Sequence, residues 1–221
     1  SRSMPSEPIT YGLKAWRSSN TPGRVASMAA IDNDELVVMY QPKLDLRTGA
    51  VVGVEALVRW RQADGKVILP DTFIRVAEQS GLIRQLSEWI METACSELAV
   101  LKRSHPELRV GINLSMHNLH DRDLAEQIGR SLASHRLDPG SLLLEITETG
   151  VMLDPDQVIE TLDELSGMGL KLTIDDFGTG HSSLAYLKQL PVDELKIYKS
   201  FVMNMDTNEN DAVIVRSIID L

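Results

Sequence analysis

The second half of the chain alternates short apolar runs with helical patterns, and this alternation constrains the fold more than any other feature. The apolar runs predict strands at 108–114, 141–146, 170–175 and 193–198. Helical spacing predicts helices near 121–135, 155–167, 182–189 and from about 208 to the end. Strands that alternate with helices pair in parallel through crossovers, so the sequence predicts an α/β barrel or an open doubly wound sheet.

The first half of the chain is less regular. Residues 1–24 are rich in Ser, Pro and Gly and are predicted to form a tail or linker, which leaves 25–221 as one domain. The predicted elements that follow are a helix at 25–33, a hairpin of strands at 36–40 and 51–60 around a turn at 45–49, a helix that Asp71 caps and Gly81 ends, and a helix at 83–103.

Composition excludes several classes of function. The formal net charge of −10 argues against a surface for a nucleic-acid polymer or an anionic membrane, but not against a small phosphate ligand at a local cation site. Cys95 is the one cysteine, so we expect a reducing compartment, the cytoplasm. No apolar run approaches the ~18 residues of a membrane span, and we expect no membrane contact by this domain.

Polar residues interrupt or end the apolar strands, one on each strand. They are Glu55, Asn113, Glu145 and Asp175. Because the carboxyl ends of barrel strands converge on one mouth, we expect these side chains to meet there. Four oxygen ligands without His or Cys suit Mg²⁺ or Mn²⁺ rather than zinc.

The residues next to this set extend the hypothesis. Asp176 follows Asp175 and is a candidate ligand of a second cation, with Asp175 bridging; a pair that only caps the next helix is the alternative. Two cations roughly 3.5–4 Å apart are an established arrangement for phosphodiester hydrolysis. Lys196 is a candidate to orient the attacking water. Arg59 shares a strand face with Glu55 and is a candidate for a phosphate contact or for a surface ion pair.

The motifs together resemble the EAL domain, the cyclic-di-GMP phosphodiesterases of bacterial signalling. The matching segments, in order, are Gln41-Pro42, Glu55-Ala56-Leu57-Val58-Arg59-Trp60, Asn113-Leu114-Ser115, Glu145-Ile146-Thr147-Glu148, Asp175-Asp176-Phe177-Gly178-Thr179-Gly180 and Leu195-Lys196-Ile197. The resemblance covers residue 28 to the end. It implies a modified (β/α)₈ TIM barrel with one antiparallel strand, which hydrolyses cyclic di-GMP to linear pGpG.

The resemblance also implies which residues hold metal. The first Mg²⁺ or Mn²⁺ would be held by Glu55, Asn113, Glu145 and Asp175, and the second by Asp175 and Asp176. Glu55, Asp176 and Lys196 would be the catalytic residues, with Lys196 in contact with the catalytic water.

The same resemblance implies further roles outside the metal sites. Gln41, Leu57 and Arg59 would hold the substrate, with Arg59 on a phosphate. Glu148 would steady the loop after Asp176. In the family this loop contributes to dimerisation, so we expect a homodimer through the barrel face near Asp175–Gly180. EAL domains are often fused to sensory or diguanylate-cyclase domains, and we expect such a partner domain here.

Three departures from the family pattern qualify these expectations. Tyr198 replaces the Asp that usually lies two residues after the lysine, and His181 replaces a Tyr. The chain reaches Leu221 before the seventh and eighth barrel strands, which include a Glu that ligates the second metal. Either the sequence is incomplete or a partner segment completes the barrel. We therefore expect a first metal site that forms and a second that is weak or empty.

Two functions remain open at this point, and a third is more remote. The first is a metal-dependent phosphodiesterase in the full-length protein. The alternative is a degenerate, inactive domain that serves as a cyclic-di-GMP receptor or a protein-interaction module, which Tyr198 favours. A glycosidase-like pair of Glu55 and Glu145 explains fewer of the residues, since it leaves the Asn, the Asp pair and the Lys without a role.

Overall fold

One mixed sheet organises the computed structural model, which describes residues 35–62, 64–152, 154–180 and 184–221. The tail predicted at 1–24, the helix predicted at 25–33 and His181 lie outside the described residues. The strands are β1 (Leu36–Leu44), β2 (Val51–Arg61), β3 (Val67–Ile68), β4 (Arg109–Asn113), β5 (Leu142–Thr147), β6 (Lys171–Phe177) and β7 (Glu194–Ile197).

Helices follow most of the strands. They are α1 (Pro70–Ser80), α2 (Ile83–Leu101), α3 (Met116–Leu119), α4 (Leu124–His135), α5 (Glu148–Val151), α6 (Pro155–Gly167), α7 (Leu184–Leu187), α8 (Lys199–Asn204) and α9 (Glu209–Ile219). A 3₁₀ turn at Pro139–Ser141 leads into β5. None of the helices within the described residues is long and apolar enough to cross a membrane.

The strand order is β1-β2-β4-β5-β6-β7, with β3 paired to β2 outside this path. Strands β2, β4, β5, β6 and β7 pair in parallel, whereas β1 and β3 are antiparallel to β2. This confirms the predicted hairpin, the parallel crossovers and an antiparallel strand at the start of the barrel sheet, while the antiparallel pairing of the short β3 was not predicted. Because the central strands are parallel, their carboxyl ends lie at one edge of the sheet.

Strand β2 shows why the sheet has two different faces. Ala56, Val58 and Trp60 are buried against the helices, while Glu55 and Leu57 on the opposite face remain half-buried. Successive side chains of a strand point to opposite faces, so one face joins the core and the other presents polar groups. The helix-facing side therefore builds the core, and the other side builds the site.

The long helix α2 supplies much of the packing against this sheet. Its residues Leu86, Ile90, Ala94 and Leu98 recur at helical spacing and are buried, as predicted. Cys95 is fully buried beside them, and burial raises the pKa of its thiol to about 12. This cysteine is therefore a core residue and stays protonated at neutral pH.

The prediction that Asp71 caps α1 is wrong. Pro70 takes the first helical position and Leu69 is the N-cap, which leaves Asp71 inside the first turn. Proline favours that position because its missing N–H has no partner there in any case. The predicted C-terminus is confirmed: Gly81 adopts φ +74°, and its N–H donates to Glu78 O.

Several short elements were not predicted. They are β3, α3, α5 and α8, each of two to six residues. Elements this short carry too few residues to show a hydrophobic period. One of them, α5, begins with Glu148, which bears on the site.

Candidate active site

Three carboxylates from three strands surround one ammonium group. Lys196 on β7 donates from Nζ to Glu55 Oε2 at 3.0 Å, to Glu145 Oε2 at 2.7 Å and to Asp175 Oδ2 at 2.7 Å. We call Glu55, Glu145 and Asp175 the carboxylate cluster. Each contributes one oxygen atom that lies within 4.8 Å of those of the other two. Four residues from 55 to 196 in the sequence thus converge at one point.

Strand register brings the cluster together. Glu55 on β2 lies opposite Gly111 on β4, and Asn113 at the end of β4 lies opposite Glu145 on β5. Asn113 donates from Nδ2 to Glu55 Oε1 at 3.0 Å, so its amide oxygen is not consumed by this contact. The predicted first-site residues therefore all lie within one connected group.

Lys43 also contacts the cluster and was not predicted as a site residue. Its Nζ donates to Glu145 Oε1 at 2.6 Å, the oxygen that Lys196 does not use. The two-residue period of a strand could have indicated it, because Gln41 is a predicted substrate residue and Lys43 lies two residues later on the same face of β1. On sequence alone a lysine in a hairpin strand is typical of a solvated position.

Burial and charge act against each other at these groups. Burial raises the pKa of Glu145, whose side chain is 0% exposed, although Lys196 and Lys43 both donate to it. Burial also opposes ionisation of Glu55, yet hydrogen bonds from Asn113 and Lys196 outweigh it and lower the pKa of this carboxyl. Burial would lower the pKa of Lys196, but its bonds to Asp175 and Glu145 raise it.

The donor set fits a hard divalent cation. The carboxylate cluster presents three formal negative charges, whereas Lys43 and Lys196 supply two positive ones. A net negative charge remains, and all candidate ligand atoms are oxygens, as Mg²⁺ and Mn²⁺ prefer. Asp176 is exposed and, among the described residues, is not part of the group of carboxylates that could share one ion. The ammonium at the centre shows that the cluster accepts a cation.

The end of β6 and the loop after it have unusual backbone geometry. Asp176 adopts φ +53° and Gly178 φ +99°. Positive φ is costly for Asp176 but not for a glycine. Asp175 Oδ1 accepts the Asp176 N–H at 2.7 Å, which ties the strained residue to the cluster. Burial, followed by repulsion from Asp175, raises the pKa of Asp176.

Glu148 lies beneath this loop. Its Oε2 accepts the N–H groups of Gly178 at 2.9 Å and of Gly180 at 3.0 Å. A Cβ on Gly180 would come within 2.9 Å of this carboxylate, so the approach needs glycine. Glu148 is buried, and its position at the start of α5 follows directly from the end of β5.

The candidate substrate residues share the face of the cluster. Gln41 lies opposite Glu55 in the β1–β2 register, and Leu57 and Arg59 follow Glu55 at period two. Leu57 lines a groove of about 680 Å³ that also includes Glu55 and Asn113. Arg59 donates from Nη1 to its neighbour Val58 O at 2.8 Å.

Tyr198 is the N-cap of α8, directly after β7. Its N–H donates to Phe177 O at 3.2 Å, and its ring meets Phe201 edge-on with centroids 5.9 Å apart. The same Phe201 lies against Gly178, where a Cβ would approach its ring to 2.9 Å. Tyr198 thus belongs to an aromatic contact behind the loop after β6.

Fold and site together define a class: α/β-barrel proteins with a carboxylate and lysine centre at the carboxyl ends of parallel strands. The family model of the EAL domain matches residues 24–221. The chain belongs to the EAL domain family. Its sheet is that of a modified TIM barrel without the last strands.

Two curated relatives come from Pseudomonas aeruginosa. The bifunctional diguanylate cyclase/cyclic di-GMP phosphodiesterase MucR is 40% identical over 193 residues, which is 87% of this chain and 28% of MucR. The cyclic di-GMP phosphodiesterase NbdA is 42% identical over 191 residues, 86% of this chain and 24% of NbdA. The chain thus spans about a quarter of the length of these relatives.

Solved structures agree with this assignment. The PaMucR phosphodiesterase in complex with c-di-GMP has a TM-score of 0.84 at 38% identity, covering 89% of this chain and 81% of that one. The EAL enzyme Bd1971 in its cGMP-bound form has a TM-score of 0.85 at 29% identity. The match covers 94% of this chain and 59% of Bd1971. Each is a protein that this chain resembles in both sequence and fold.

Proposed function

We propose that this domain hydrolyses cyclic di-GMP to linear pGpG. The observation that carries the proposal is the carboxylate cluster around Lys196, which assembles four candidate catalytic and metal-binding groups from four strands. The substrate is inferred from MucR and NbdA, both named as cyclic di-GMP phosphodiesterases. In the reaction, water attacks phosphorus, one P–O bond breaks and the leaving oxygen takes up a proton.

Mg²⁺ or Mn²⁺ is the proposed cofactor. Glu55, Asn113, Glu145 and Asp175 would hold the first ion, and Asp175 with Asp176 the second, weaker one. When bound, such an ion lowers the pKa of water and stabilises charge on phosphate oxygens. The three converging carboxylates support one divalent ion at the first position.

Lys196 has a separate role in this proposal. Lys196 would share the three carboxylates that it now contacts with a cation bound there. Its ammonium would then be available to donate to the attacking water or to a phosphate oxygen, from a position fixed by β7.

The substrate lies in the groove beside the cluster in this proposal. Leu57 supplies an apolar wall, Gln41 a polar contact, and Arg59 a guanidinium for phosphate. Glu148 fixes the loop that carries Asp176 through its two backbone hydrogen bonds.

The remaining proposals concern the whole protein. We infer a cytoplasmic domain fused to a sensory or diguanylate-cyclase module, since MucR combines both activities by name. A homodimer through the face near Asp175–Gly180 follows from the family resemblance. No nucleic-acid polymer or membrane contact is proposed for a domain of net charge −10.

Tyr198 favours a second candidate function, a receptor that binds cyclic di-GMP without hydrolysing it. A phenol hydroxyl cannot supply the two acceptor oxygens that a carboxylate offers to a metal. The Tyr198 ring instead packs on Phe201.

One experiment separates the two candidates. The full-length protein is incubated with cyclic di-GMP and Mg²⁺ or Mn²⁺, and pGpG is followed by chromatography beside a Glu55→Ala control. The enzyme predicts pGpG from the native protein and none from the control. Tight binding without pGpG contradicts the enzyme and supports the receptor, and in that case Tyr198→Asp tests whether a carboxylate restores turnover.

A further inference from the structure

Glu145 is held at both carboxylate oxygens by lysines from opposite ends of the sheet. Lys196 Nζ on β7 donates to Oε2 at 2.7 Å, and Lys43 Nζ on β1 donates to Oε1 at 2.6 Å. The Glu145 side chain is 0% exposed, and that of Lys43 is 25% exposed. A buried carboxylate with each oxygen bound to a separate ammonium has little freedom to rotate.

Lys43 reaches Glu145 across two intervening strands. The inner face of β2 presents Gly53 opposite Lys43, and that of β4 presents Gly111. A Cβ at Gly111 would overlap Glu145 Oε1 and lie 3.4 Å from Lys43 Nζ. The absence of a side chain at Gly111 thus leaves room for the contact between Lys43 and Glu145.

We propose that Lys43 is a positioning residue that leaves Glu145 one oxygen for a metal ion and thereby favours Mg²⁺ and Mn²⁺ over Ca²⁺. The proposal rests on the metal-dependent function above. Lys43 approaches the cluster from the antiparallel strand β1 and donates to the Glu145 oxygen that Lys196 does not contact.

The preference follows from coordination chemistry. Ca²⁺ takes six to eight oxygens and often binds a carboxylate through both of them, whereas Mg²⁺ needs only octahedral coordination. With Oε1 engaged by Lys43, Glu145 offers one oxygen to the cluster. Removing Lys43 frees the second oxygen of Glu145, and this should increase the affinity for Ca²⁺, the larger ion, more than the affinity for Mg²⁺ or Mn²⁺.

The test measures metal selectivity without turnover. Mn²⁺ binding to the purified protein is followed by electron paramagnetic resonance, with Ca²⁺ and Mg²⁺ as competitors. We expect Lys43→Met to lower the ratio of the Ca²⁺ to the Mn²⁺ dissociation constant on the order of tenfold, which is comparable to the change in metal affinity when a ligand loses its hydrogen-bond partner. Lys43→Arg keeps the positive charge and should preserve the ratio.

The controls make each result decisive. Lys66→Met removes an exposed lysine far from the cluster and should change nothing. Lys43→Gln provides a second neutral variant if Lys43→Met does not fold. An unchanged ratio in a folded neutral variant overturns the role of Lys43 while the proposed function stands. Failure of the native protein to bind Mn²⁺ overturns both.

Discussion

The carboxylate cluster and the loop at Asp176–Gly180 meet at Asp175 but are held in place by different means. The cluster lies on strands whose register fixes each side chain, and its charged groups meet partners from other strands. The loop depends on two backbone hydrogen bonds to Glu148 and contains two residues at positive φ. One region is fixed by the sheet, the other by one buried side chain.

Because of this difference, we expect variants of the cluster and variants of the loop to have separate effects on metal binding and on loop geometry. Changes in the cluster should act on the metal, because its atoms are the candidate ligands. Changes under the loop should alter the position of Asp176 while the cluster keeps its own geometry. Variants of the two regions therefore distinguish the proposed first and second metal positions.

The largest effect is expected from Glu145→Gln. The substitution removes a ligand charge and leaves Lys43 and Lys196 facing a neutral amide. We expect Mn²⁺ affinity and hydrolysis of cyclic di-GMP to fall by more than about a hundredfold, beyond the loss of an outer-shell partner. Titration calorimetry checks this, with exposed Glu160→Gln as control; native-like affinity in Glu145→Gln would contradict the cluster as the metal site.

An intermediate effect is expected from Glu148→Gln. The amide oxygen can still accept from Gly178 and Gly180, but without the negative charge. We expect the free energy of unfolding to fall by about 1–3 kcal/mol. Turnover should fall on the order of tenfold through displacement of Asp176, with Mn²⁺ affinity within about twofold of native. If affinity fell together with turnover, the two regions would not be separable.

The smallest effect is expected from Thr179→Ala. The Thr179 hydroxyl donates to Asp176 O at 2.9 Å from an exposed position. Its loss should cost about 0.5–1 kcal/mol by denaturant unfolding and leave turnover close to native. Thr179→Ser restores the donor and is the matched control. A loss as large as that of Glu148→Gln would show that the loop depends on more than Glu148.

Strand residues of the site were the most predictable part of the molecule. Glu55, Asn113, Glu145 and Asp175 are polar residues within or at the end of apolar runs, and parallel pairing places such ends together. Their convergence followed from the period and the topology alone. Their roles remain proposals.

Residues that act across the sheet were not predictable in the same way. Lys43 reaches Glu145 only because Gly111 leaves space beside Glu145 Oε1, which depends on the register of neighbouring strands. Asp71 was misassigned because the N-cap preference was weighed without the stronger position preference of Pro70. Both errors came from treating a residue apart from its neighbours.

Anomalous diffraction from crystals grown with Mn²⁺ tests the central claim most directly. The account predicts a manganese peak within bonding distance of Glu55, Glu145 and Asp175, with Lys196 Nζ moved away from at least one of them. A peak elsewhere, or none while Lys196 keeps its three carboxylate contacts, would contradict the assignment of this cluster as the metal centre.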